Sequence, residues 1–415
     1  MITTVTTLRR LAAAAVIAAL AATITVAPAH AGIVTVADAG YSMRPLGTAP
    51  RLDAEPVPFG SFAASRGPTS SGSQRTVQPM LTPEEDALRA ACAQHADVAG
   101  TRTGWLSDRF QQCVRKRSGG VVIRDDNGQP AGELRFLLWV LARASSSSRQ
   151  VTYTVRIEDI TVSTIPPNVI DWPNQRIALS WRGCAGVADL ACTTTNRDAT
   201  IQSWFTDPEY RFTMSSPNGT GALPDLTVPA DLFLDIRLGA LPIRPTTLGD
   251  VAESKPRFDT GRRMSPANGA VFPDFMPTYS LSLTDPSVDD SARHIHDALN
   301  HPERTFPSFI GKSVPNELHR LVDETLQSVN RAQSIATCAD IWGSWSETQP
   351  QCDEFPFAST REGSLTQTQF YGTHDRYSAR LIHDNDNETA GSRLGTLYGQ
   401  SRIIDGDAFK VRIDP

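Results

Sequence analysis

Beyond its first 31 residues the 415-residue sequence has no apolar run long enough to span a bilayer, which argues against a polytopic membrane protein. It has no C-x-x-C unit, so its six cysteines give no support to a zinc site. It also lacks the basic surplus of a general nucleic-acid binder, since its formal net charge is -6. Apolar residues are not scarce. They make up 40% of the chain and are spread along most of it, enough to fill more than one core and to exclude a wholly disordered protein.

The one long apolar run, Leu11 to Val26, follows Arg9 and Arg10 and precedes Ala27-Pro28-Ala29-His30-Ala31. These are the three parts of a secretory signal peptide over 1–31, with cleavage expected after Ala31; the alternative is an uncleaved anchor. Losing Arg9 and Arg10 would take the formal charge from -6 to -8. A secreted, extracellular chain sits in an oxidising medium, where an even set of cysteines favours disulfides. Proximity in sequence pairs Cys92 with Cys113, Cys184 with Cys192 and Cys338 with Cys352.

Residues 32–80 are rich in Pro, Ser, Gly, Ala and Arg with scattered hydrophobics, the composition of a disordered tether or pro-segment. Order is expected from Thr82-Pro83-Glu84-Glu85, where Thr82 caps a helix that has proline at its first position and acids in its first turn. Beyond Cys113 the pattern becomes β. Asp126-Asn127-Gly128 marks a turn between apolar runs, "RQVTYTVRIEDITVS" alternates with period two, and "RIALSWRG", "RFTMSS" and "DLFLDIRLG" follow between turn residues. This predicts an antiparallel β-sandwich-like domain over 81–239. Spaced prolines and weak periodicity make 240–270 an expected linker. A second, small mixed α+β domain over 271–415 is expected to hold a strand near Tyr279, helices at "DPSVDDSARHIHDALNHP" and "VPNELHRLVDETLQSVNRAQ", then turns and a closing strand at "DAFKVRIDP". The fold class is therefore α+β overall.

Apart from His30 and His95, every histidine falls between His294 and His383, so the chemistry-bearing residues concentrate in the second domain. There Asp353-Glu354 directly precedes an apolar, proline-fixed segment and directly follows Cys352. A rigid frame of that kind suits a metal ligand or general base better than a solvated surface pair. Further on, "HDNDNETAGSRLG" gathers Asp384, Asn385, Asp386, Asn387 and Glu388 in an expected short turn, hard oxygen donors suited to Mg²⁺, Mn²⁺ or Ca²⁺. It has neither the central glycine nor the distal glutamate of an EF-hand; the alternative is a turn that merely reverses the chain.

Together these segments resemble the NucA/NucB family of secreted bacterial deoxyribonucleases. The family's D-E-aromatic-P-x-A core, its E-G, and its D-N-x-x-A-G-S stand here as Asp353-Glu354-Phe355-Pro356-Phe357-Ala358, Glu362-Gly363 and Asp386-Asn387-Glu388-Thr389-Ala390-Gly391-Ser392. "HIHDAL" at His294 to Leu299 and "DGDAFKVRI" near the end also fit in order and spacing. The likeness spans about Phe272 to Pro415 and leaves out the N-terminal β domain. It implies a divalent metal ion, Mg or Mn, DNA as substrate, and a domain of ββα-metal-like character. It places Asp353 and Asn387 as metal ligands and Asp353, Glu354 and Glu362 as catalytic acids. The base that activates water is left open between Glu354, Glu362, His294 and His383. Glu388 stands where family members can have arginine.

From Val271 onward there are 21 Asp and Glu against 12 Lys and Arg. Phosphate contacts are therefore expected from a local groove, with Arg361, Arg380 and Arg393 as the substrate-binding candidates and Arg376 and Arg402 nearby. A second reading keeps the chain as a secreted binding protein with a catalytically inactive, degenerate nuclease domain. Nothing in the sequence names a ligand for the β domain.

Overall fold

A computed structural model describes residues 57–58, 81–193, 195–217, 219–222, 225–240, 244–343 and 350–415. The expected signal peptide lies outside these residues. So does the expected tether, except Val57–Pro58, which pair antiparallel with Val162 and Thr161. The described part is mixed α+β, with several antiparallel sheets and seven α-helices, and it falls within one compact unit, Tyr41–Pro415.

Order resumes where the capping signal predicts. In the helix Pro83–Gln94, the Thr82 hydroxyl accepts from the Glu85 N–H while the Glu85 carboxylate accepts from the Thr82 N–H. Long strands Pro130–Ala144 and Gln150–Thr164 centre an eight-stranded sheet. A four-stranded sheet runs Thr246–Ser254, Leu232–Leu238, Arg176–Arg182, Asn196–Thr200. Val155 and Phe212 from the first and Leu179, Trp181 and Leu234 from the second join one continuous buried cluster, because alternation gives each strand one apolar face. The three disulfides pair as proximity suggested: Cys92–Cys113, Cys184–Cys192 and Cys338–Cys352.

Residues 240–270, expected to be a loose linker, are instead built into the fold. They carry Thr246–Ser254 and Arg257–Thr260 and enter Asn268–Val271. The prolines that suggested a linker sit between strands, at Pro245, Pro256 and Pro266, while Leu248, Val251, Ala252 and Phe258 are buried.

Five elements frame the C-terminal part: α1 (Asp289–Asn300), α2 (Glu324–Trp342), β1 (Gln351–Phe355), β2 (Ser378–Ile382) and α3 (Asp384–Gln400). β1 and β2 pair antiparallel. A small sheet sets Ala408–Asp414 parallel to Thr278–Ser282 and antiparallel to Glu317–His319. Two expectations change here. The stretch expected as one helix from Val314 splits: Leu318 pairs with Phe409 in the sheet, and α2 starts only after Asp323, whose side chain caps the Leu326 N–H. The acidic "turn" after His383 is the first turn of the 17-residue α3, where Asp384 and Asp386 complement the positive end of the helix dipole.

Candidate active site

Alternation along β1 decides which way each carboxylate leaves the backbone. Asp353 turns to α1, where its Oδ2 accepts from His294 Nδ1 at 2.7 Å, and its Oδ1 accepts the Glu354 N–H at 3.0 Å. Its neighbours turn to α2: Cys352 is disulfide-bonded to Cys338, and Glu354 is ion-paired with Arg331, which also donates to the Cys352 carbonyl. The strand is thus clamped on both sides.

Asp353, Glu354 and Asn387 line one cavity of about 410 Å³, with Ser291, Arg320 and Arg263 also in its wall. Burial pushes the Glu354 carboxyl up to about 7 against the opposing pull of Arg331. Asn387, in the first turn of α3, donates its Nδ2 to Gln351 Oε1 at 2.9 Å, which turns its amide oxygen free of that contact. The Ser291 hydroxyl is buried in the same wall and has no hydrogen-bond partner among the described residues. A carboxylate, an amide oxygen and an orphaned hydroxyl around one cavity are hard donors, a set that fits Mg²⁺ or Mn²⁺.

The other sequence candidates lie elsewhere. His294 is fully buried, with Nε2 facing Ser378 Oγ at 2.7 Å, so both ring nitrogens are engaged, one of them on Asp353. Glu362 lines a different cavity of about 370 Å³ with His319, Tyr371 and Arg376. Its carboxylate accepts the His319 backbone N–H at 2.9 Å, His319 Nδ1 at 2.8 Å and the Tyr371 hydroxyl. Burial opposes it, yet these bonds hold Glu362 below its ordinary value, while the Glu362 bond holds His319 above its own. Each expected substrate-binding arginine is paired to an acid outside the first cavity: Arg361 to Asp405, Arg380 to Asp297, Arg393 to Asp285.

Sequence reasoning missed Arg320, Arg263 and Ser291, which carry no local motif and meet only in the fold. It also missed a group of three carboxylates, Asp289, Asp290 and Asp386, whose oxygens lie within 4.8 Å of one another at the meeting of α1 and α3. Arg293 pairs with Asp289 and Asp290, and Asp386 accepts the Asp290 N–H at 2.9 Å.

Residues 322–412 match the family Deoxyribonuclease NucA/NucB. The match takes in Asp353, Glu354, Glu362 and Asn387 and stops short of His294, Arg320 and Arg263. No curated protein and no solved structure matches the chain.

Proposed function

We propose that the chain is a secreted, divalent-metal-dependent endonuclease that hydrolyses phosphodiester bonds of DNA. The observation that carries this reading is the convergence of Asp353, Glu354 and Asn387 on one cavity inside the segment that matches a deoxyribonuclease family. Three disulfides support an oxidising destination. The order β1, β2, α3 supports a ββα-metal-like site, and two large antiparallel sheets sharing one core support a sandwich-like body for the β-rich part.

Asp353 and Asn387 would hold the cation, which supplies Lewis acidity and charge neutralisation at the scissile phosphate. His294 fixes the Asp353 carboxylate in place, so little reorganisation is needed when substrate arrives. Glu354 takes the proton of the attacking water, since a carboxyl pushed up to about 7 is a stronger base than an ordinary one and lines the same cavity. The water oxygen bonds to phosphorus as the bond to the leaving sugar oxygen breaks, that oxygen takes a proton from solvent to leave as a hydroxyl, and the Arg331 guanidinium keeps Glu354 in register through both states. Glu362, in the second cavity, braces the strand end at His319.

A plasmid-nicking assay on folded, disulfide-intact protein, with Mg²⁺ or Mn²⁺ and with or without chelator, tests the reading. Metal-dependent nicking that chelator abolishes is expected. Absence of nicking would move the chain to the second reading, an inactive binding protein.

A further inference from the structure

The cavity of Asp353 and Glu354 is not walled by the C-terminal part alone. Arg263, in the turn between strands Arg257–Thr260 and Asn268–Val271, lines it from the β-rich side, and Arg320 lines it just past Glu317–His319. Arg320 is 9% exposed, donates Nη1 to the Ile403 carbonyl and lies over the Tyr398 ring at 4.6 Å. Among the described residues no carboxylate forms an ion pair with it. Asp225, Asp405 and Asp407 act on it only from beyond ion-pair distance, and burial outweighs them, so part of its desolvation cost remains until an anion makes direct contact.

Arg263 complements it at the rim. Its Nη2 meets Glu324 at 2.6 Å, but both side chains are at least half exposed, so that pair contributes little and an incoming anion displaces it easily. The turn that carries it is nonetheless fixed to the C-terminal part. Asp225, itself buried, accepts the Arg262 N–H at 2.8 Å and the Asp405 N–H at 3.0 Å. Gly261 packs so closely that a Cβ there would come 2.5 Å from Met264 Cγ and 3.2 Å from Ile404 Cγ2. Arg263 is therefore presented from a braced turn.

We propose that Arg320 at the floor and Arg263 at the rim form a phosphate-binding subsite for the DNA backbone beside Asp353 and Glu354. The β-rich part is then a working wall of the cleft rather than an appended module. This rests on the reading of the cavity as a nuclease site. Arg263 also brings positive charge from outside the acid-rich segment 271–415, which a charge count of that segment overlooks.

The test uses the full-length mature chain. Binding of a fluorescein-labelled DNA duplex is followed by anisotropy in chelator across a salt series, alongside nicking kinetics with Mg²⁺ or Mn²⁺. Arg263→Gln should weaken binding roughly tenfold and lower the salt slope by about one, as for loss of one phosphate contact. KM should rise while kcat holds and the melting temperature stays parental. Arg263→Lys should recover most of the affinity, and Glu324→Gln should tighten binding by removing the competing carboxylate. Parental affinity and salt slope in Arg263→Gln, with the parent still nicking, would overturn the subsite and leave the nuclease reading intact. Arg263-dependent binding by a parent that never nicks would keep the subsite and overturn the nuclease reading. A parent that neither binds nor nicks would overturn both.

Discussion

Asp407 joins the two parts of the chain, and replacing it should show how far they fold as one. It precedes the strand Ala408–Asp414, and its carboxylate accepts from Arg109 Nη2 at 2.9 Å and from Arg257 Nη2 at 3.0 Å, with Arg257 Nη1 on its other oxygen. Arg257 also meets Asp259, which is fully buried and paired with Arg402. Three guanidiniums and two carboxylates thus lie together, with Arg109, Arg257 and Asp259 from the β-rich part and Arg402 and Asp407 from the C-terminal part. Burial works against its charge, but Arg257 and Arg109 hold the Asp407 carboxyl below its ordinary value. Asp407→Ala would leave Arg109, which is 2% exposed, and Arg257 facing each other with only Asp259 to offset them. Breaking a buried ion pair from one side costs about 3–5 kcal/mol, because the remaining charge stays desolvated. Urea unfolding at neutral pH should show an unfolding free energy lowered by about that amount, read as a lower midpoint at an unchanged m-value. A fragment covering 271–415 should be poorly folded, having lost Arg109, Arg257 and Asp259 together. If Asp407→Ala unfolds with the parental midpoint, or if the fragment folds and nicks DNA as the full chain does, the coupling argued here is wrong.

Asp353→Asn keeps an acceptor for His294 but removes the charge, so turnover should fall on the order of a hundredfold or more at a near-parental melting temperature; a parental rate would move the active site elsewhere. Asn387→Ala should lose activity in Mg²⁺ and regain part of it in raised Mn²⁺, measured as the metal concentration for half-maximal nicking. His319, held above its ordinary value by Glu362, stabilises the fold fully below the unfolded value near pH 6.5 and loses that contribution as pH rises through its raised folded value. The difference in melting temperature between parent and His319→Gln should therefore shrink with rising pH, and a constant difference would show that the pair is not coupled to titration. Reducing Cys338–Cys352 frees β1 from α2, so nicking should decline at denaturant concentrations where far-UV circular dichroism is still native.

Local signals carried much of this fold. Thr82 before Pro83-Glu84-Glu85 spelled out a helix start from neighbouring residues alone, and "RQVTYTVRIEDITVS" declared itself a strand by alternation against a single core. The cysteines were legible because short loops bring near neighbours together. What sequence missed depends on partners far along the chain. Leu318 sits at helical spacing with Leu321 and Val322, yet the strand Ala408–Asp414 claims it, and only the capping aspartate at 323 marks where helix begins. The prolines of 240–270 look the same whether they interrupt a linker or punctuate strands. Around the candidate cavity, Asp353, Glu354 and Asn387 were legible because they lie in short motifs, whereas Arg263 is 90 residues before Asp353 and follows no pattern.

The same limit applies to net charge. The acid-rich composition of 271–415 suggests a surface that repels DNA, but many of those carboxylates are already answered within the fold: Asp285 by Arg393, Asp297 by Arg380, Glu354 by Arg331, Asp405 by Arg361, and Asp407 by Arg109 and Arg257. Arginines that looked available in the sequence are spent in these pairs. The field a phosphate meets is set by the groups left over where it binds, and in this cavity Arg320 is a buried guanidinium with no carboxylate at ion-pair distance among the described residues. A chain of net negative charge can thus present a local anion site, provided that many of its acids are answered within the fold and a base faces the cleft.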